Sequence, residues 1–328
     1  YRSFSIPGID MLCDFHEYTT AKQTQSIVRQ TGAEGMLSEL YGVTGWDYDF
    51  RGYKLQGDWQ AALGVTVRVP DLAWMTMKGE AKRDYPASIN YQSPWWDQFA
   101  MIENHFARLN TALTRGTAVV RVAVVHPIES YWLYWGPSDQ TAASRSQMEQ
   151  QFSHLAETLL FGGIDFDYLC EAELPHLCET GGYPLQVGKM AYETVLIPPV
   201  RTLRASTIQL LEAFQRAGGR LIFLGDCPDY VDAEPSDAAQ NLYQSAHSIA
   251  FDATSILSAL EKERFLDIRQ PDGRRSDRLL HQLRRDGDCL WLFICNDKNP
   301  DSPDVDPAPQ LRFTLKGEYI LTLYDTMT

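Results

Sequence analysis

The sequence predicts an α/β chain: the C-terminal part of a (β/α)8 barrel, then a flavodoxin-like open α/β domain, then the start of an antiparallel β-sandwich. Three observations predict it. Short apolar or β-branched runs alternate with helical stretches over 1–225, the rhythm of parallel strands joined by crossover helices. Asp14, Glu39 and Asp71 fall at or just after the ends of the early strands, the face where barrels collect catalytic groups. After about 275 the pattern turns to strand pairs around tight turns. The expected divisions are 1–116, 117–255 and 256–328.

In the first division, the apolar run 6–12 is a strand ending in Cys13-Asp14. Thr20 caps a helix that Gly32 stops. A second strand, 35–39, ends in Glu39. A helix over 54–63 stops at Gly64, and Val65-Thr66-Val67-Arg68-Val69 is a β-branched strand. A long aromatic loop spans 71–95, and a helix over 96–113 closes at Arg115-Gly116.

The second division opens on a continuous apolar strand, 118–125, followed by a helix over 145–160. Strands follow at 166–169, 194–197 and 220–225, with a helix over 206–217 that Gly218-Gly219 terminates. No Gly-rich phosphate loop or nucleophile elbow is present, so a scaffold role is expected, with His126 and Glu129 at a domain interface. Residues 229–275 read as acidic, polar and mostly helical. A hairpin follows, 281–284 and 290–294 around Arg285-Asp286-Gly287-Asp288, with a second turning at Lys316-Gly317-Glu318.

Composition narrows the function. A formal net charge of -14 argues against nucleic acid or an anionic membrane as partner. No run approaches the length of a membrane span. Six cysteines form no CxxC pair; they read as buried free thiols in a reducing compartment, which leans to the cytoplasm. The chain opens on Tyr1 and stops in what reads as mid-strand, so it is expected to be an internal fragment.

The segment Ser38-Glu39-Leu40-Tyr41-Gly42-Val43-Thr44-Gly45-Trp46 sets a carboxylate beside aromatics and glycines. Cleaving a glycosidic bond needs a carboxylate near the anomeric carbon, and aromatic faces stack on sugars. Glu39 is therefore the candidate catalytic group, the competing role being an ion pair with Arg51, Arg68 or Lys54. Tyr41, Trp46, Trp74, Arg83, Asn90 and Tyr91 are the candidate sugar-binding residues, with Trp95 and Trp96 expected to cap a core. Asp10, Asp14, His16 and Glu17 cluster locally without the spacing of a ligand motif. No metal or cofactor is expected. Two rival readings are a non-catalytic carbohydrate-binding or oligomerisation module and an amidotransferase-like hydrolase using Cys170 or Cys227.

Glu39 in its Ser-Glu-Leu-Tyr-Gly setting, Asp58-Trp59-Gln60-Ala61-Ala62-Leu63-Gly64 and Ser93-Pro94-Trp95-Trp96 together resemble the late barrel of the multidomain α-L-rhamnosidases. The run Ala213-Phe214-Gln215-Arg216-Ala217-Gly218-Gly219-Arg220-Leu221 is similar to one in the glutamine-amidotransferase-like, or trimerisation, domain that follows the barrel in certain β-galactosidases. The likeness covers roughly 5–225. It implies a glycoside hydrolase with a carbohydrate substrate, Glu39 at the end of the seventh barrel strand, and a second carboxylate from a fourth strand expected before Tyr1. It also implies self-association through the α/β domain. The loop Met77-Lys78-Gly79-Glu80-Ala81-Lys82-Arg83-Asp84-Tyr85 departs from the rhamnosidase pattern and leaves the sugar open.

Overall fold

A computed structural model describes residues 1–13, 15–84, 89–299 and 310–327. The chain is α/β, with parallel sheets and interleaved helices. It divides into two compact units: 1–28, 33–119 and 267–328 form the first, and 29–32 with 120–266 the second.

The first unit begins with three parallel strands in chain order, β1 (Gly8–Met11), β2 (Leu37–Leu40) and β3 (Val67–Pro70). Helices α1 (Tyr18–Thr31) and α2 (Phe50–Ala62) connect them, and α3 (Phe99–Leu113) follows. Helix α1 starts before Thr20, whose hydroxyl bonds Glu17 instead of capping. Gly32, at φ +71°, ends it in the left-handed region that glycine adopts freely. Helix α2 starts four residues earlier than its apolar pattern suggests, because Asp49 caps it by accepting from the Arg51 and Gly52 amides. Leu40, Tyr53, Phe99, Ile102, Phe106 and Leu109 form the core between sheet and helices. At Gly57 the two helices touch: an added Cβ would lie 2.0 Å from the Phe106 ring. Trp95 packs against this core, whereas Trp96 is exposed.

The second unit is a five-stranded parallel sheet. Its strands are β4 (Val122–Val125), β5 (Phe166–Leu169), β6 (Thr194–Ile197), β7 (Arg220–Leu224) and β8 (His247–Ile249). Counted from β4, the spatial order is 2-1-3-4-5. Helix α4 (Ile128–Leu133) follows β4, and α5 (Ser138–Phe161) and α6 (Ala205–Arg216) complete its main helices. The segment expected to be mostly helical supplies β8, a polar three-residue strand without the apolar run that marks its neighbours. His126 packs between Phe152 and Tyr168, and burial lowers its pKa to about 4. Arg29 bridges Asp165 at 2.8 Å and Asp167 at 2.9 Å, all three nearly withdrawn from water.

The hairpin pairs β9 (Leu279–Asp286) with β10 (Cys289–Asn296) and clusters with the first unit. Gly287, at φ +58°, is the first of its two turn residues, the position where a primed turn needs positive φ. Thr117–Ala118 adds a third strand on β9, and Gln282 donates to the carbonyls of Ala61 and Ala62 at the end of α2. The second hairpin does not form: Arg312–Leu315 is a strand, but 319–324 is not. The cysteines are free, as read, but only Cys178 and Cys295 are buried; Cys170 and Cys289 are exposed.

Candidate active site

Side chains alternate along a strand. β1 buries Ile9 and Met11, β2 buries Ser38 and Leu40, and both turn a carboxylate to the open face. The parallel register sets Asp10 beside Glu39, and Glu39 beside Val69. Asp71, the residue after β3, donates its amide to the Leu40 carbonyl at 2.8 Å. Its carboxyl lies against Gly42, where an added Cβ would come within 2.5 Å of Oδ2. Glycine at 42 thus makes room for Asp71 at the end of β2.

These three carboxyls interact. Partial withdrawal from water, then the charges of Asp10 and Asp71, raise the Glu39 pKa. Burial and Asp10 raise that of Asp71. The cations that sequence offers as partners for Glu39 are engaged elsewhere: Arg68 with Glu103 and Tyr41, Lys54 with Asp58, Arg51 with Asp49. Glu39 therefore has the surroundings of a carboxyl that keeps its proton above the ordinary range, as a general acid requires.

The loop after β2 is strained. Tyr41 (φ +76°) and Val43 (φ +61°) occupy the left-handed region, as does Cys13 (φ +54°) after β1. Each such residue costs on the order of 1 kcal/mol, and such strain clusters at functional sites. The turn drives Tyr41 inward. Its ring is buried on Tyr53, and its hydroxyl accepts from Arg68 at 3.3 Å. Burial pushes the phenol up to about 12. Tyr41 is therefore a core residue, not one that faces a ligand.

The other expected binding residues gather in the loops after β2 and β3. Trp46 and Trp74 pack at a 32° tilt with centroids 5.8 Å apart, and the Trp46 indole donates to the Arg83 carbonyl at 3.1 Å. Tyr91 is exposed and donates to the Met75 carbonyl at 3.4 Å, while Gln92 donates to that of Trp74 at 2.8 Å. Asn90 turns its carboxamide oxygen to the Tyr91 amide and serves as a turn residue. Because the strands are parallel, both loops lie at the same end of the sheet, the end that carries Glu39 and Asp71.

Asp14 lies outside the described residues. The His16 ring packs against Trp59 at a 60° tilt, centroids 4.9 Å apart, and lies 3.8 Å from the buried Asp297 carboxylate, which also accepts from Tyr18 at 2.5 Å. Among the described residues no three His, Cys, Asp or Glu side chains are grouped to hold a metal ion. In the second unit burial and Asp229 push the Cys227 thiol up, the opposite of an activated nucleophile. Sequence reasoning noted Asp10 only as a neighbour of Asp14. Its place beside Glu39 follows from strand register, which a local pattern does not carry. Among the described residues, no helix is long and apolar enough to cross a membrane.

No family model and no curated protein sequence matches this chain. Its fold matches solved glycoside hydrolases. A rhamnosidase from Novosphingobium sp. PP1Y superposes with a TM-score of 0.62 at 16% identity, over 90% of this chain and 29% of that one. A GH42 exo-carrageenase from Bacteroides ovatus gives 0.55 at 12% identity, over 85% of this chain and 38% of that one. The chain thus spans about a third of the length of these proteins, and at such identities the likeness is one of fold.

Proposed function

We propose that this chain belongs to a glycoside hydrolase, with Glu39 as one of its catalytic carboxylates. The observation that carries the proposal is Glu39 on the open face of a parallel sheet, in register with Asp10 and close to Asp71. A carboxyl so placed gives a proton to a leaving glycosidic oxygen. The fold shared with glycoside hydrolases supports the same reading. On this reading the three-stranded sheet is part of a (β/α)8 barrel, and the second unit, with its 2-1-3-4-5 order, is flavodoxin-like. The sheet of β9 and β10 begins a sandwich. The second carboxylate of the pair comes from outside these strands. Trp46, Trp74, Arg83 and Tyr91 line the sugar subsites, with Asn90 shaping the turn that presents Tyr91.

The test is Glu39→Gln in the whole protein that contains this chain, assayed on a panel of aryl glycosides. The expected loss is roughly 10³-fold in kcat, about 4 kcal/mol of transition-state stabilisation. Equal rates for the two proteins would make Glu39 structural and favour a binding or oligomerisation module.

A further inference from the structure

Asp71 carries a carboxylate that the fold leaves without a donor. Its amide is engaged by the Leu40 carbonyl, and its side chain turns back over the end of β2, half-buried against Gly42. Carboxylates that serve this fold are met by amides or cations. Asp49 accepts from the Arg51 and Gly52 amides, Asp252 from that of Ser255, and Asp267 from Arg269 and Arg275. Among the described residues no hydrogen bond or ion pair reaches the Asp71 carboxyl, and the charge that acts on it, that of Asp10, has the same sign.

Withdrawing a carboxylate from water without a donor is costly. The fold keeps it there nonetheless. Gly42 leaves the room for it, and the residues on either side, Tyr41 and Val43, hold positive φ around it. A group so placed is satisfied by a ligand that brings its own donor.

We propose that Asp71 is a specificity-determining residue of the Glu39 site, accepting a hydroxyl of the sugar bound there. The proposal rests on the hydrolase reading above. A hydrogen bond to a carboxylate is about twice as strong as a neutral one, and a site built to bond a hydroxyl rejects the sugar that lacks it. The carboxyl lies over β2, the strand that carries Glu39, and its charge is felt at Glu39. The hydroxyl therefore belongs to a ring flanking the bond on which Glu39 acts.

The experiment uses the whole protein that contains this chain, the aryl glycoside of the panel that it cleaves fastest, and the monodeoxy analogues of that sugar. Asp71→Ala, with an unchanged circular dichroism spectrum, is expected to lower kcat/KM on the parent glycoside roughly ten- to a hundredfold. On one analogue, the one lacking the hydroxyl that Asp71 accepts, the same substitution should have almost no effect. A structural role would lower the parent and every analogue alike, and that result overturns the proposal, as does an undiminished kcat/KM in folded Asp71→Ala. Gly42→Ala, whose Cβ displaces the carboxyl, should reproduce the loss and add little to Asp71→Ala. Should the alanine variant fail to fold, Asp71→Asn carries the test, with a smaller loss expected on the parent and none on the same analogue. Each overturning result leaves the hydrolase reading in place as long as Glu39→Gln is impaired. A wild type that cleaves no glycoside of the panel, or a Glu39→Gln protein at wild-type rates, removes that reading and this proposal with it.

Discussion

Glu171 is held under opposing influences. Its carboxylate is 3% exposed and accepts from the Arg204 amide at 2.8 Å at the start of α6, where Asp232 accepts from the next amide, that of Ala205, at 3.2 Å. Burial dominates, and with Glu129 nearby it raises the pKa to about 7 despite the Arg204 bond. A carboxyl whose pKa is higher folded than unfolded binds its proton more tightly in the native state. Stability is then lost as pH rises from about 4.5 to about 7 and is level above that. Glu171→Gln keeps an acceptor for Arg204 and removes the charge. It should stabilise the protein above pH 7, by at most about 3 kcal/mol, and have little effect at pH 4; urea denaturation at both pH values checks this. At the candidate site, Asp10→Asn removes a negative neighbour of Glu39. On the hydrolase reading, the pH–rate limb set by Glu39 should move to lower pH, and an unmoved limb would remove Asp10 from the electrostatics of the site. Glu39 was legible in the sequence as a strand-end carboxylate among aromatics. Tyr41, two residues away, was not: a positive φ turns it into the core, and no local pattern marked that turn.

At the scale of elements, apolar periodicity and glycine stops located most strands and helices. Helix starts were less legible where a polar cap does the work, as Asp49 does for α2. β8 escaped because a short edge strand needs no apolar run. The buried pairing of Arg29 with Asp165 and Asp167 was also invisible, since 136 residues separate Arg29 from the nearer of the two. Arg29→Leu should cost roughly 3–5 kcal/mol, because two buried carboxylates lose their cation. Neutralising both as well, with Asp165→Asn and Asp167→Asn, should recover part of the loss; denaturant titration of the three proteins checks both statements.

At the scale of the whole molecule, alternating strands and helices made the α/β class legible. The division into units was less so, because the hairpin of β9 and β10 clusters with strands more than 200 residues earlier. Only long-range pairing carries that information, and Gln282 makes it concrete by closing on Ala61 across 221 positions. The consequence concerns synthesis. At about 5–20 residues per second, a ribosome needs roughly 10–45 s after Ala61 to deliver Gln282. All of 120–266 is made within that interval, before the Gln282 carboxamide can reach the carbonyls of Ala61 and Ala62. The first unit therefore gains its hairpin contacts only after 120–266 has been made, and the pace of translation through that stretch sets the delay.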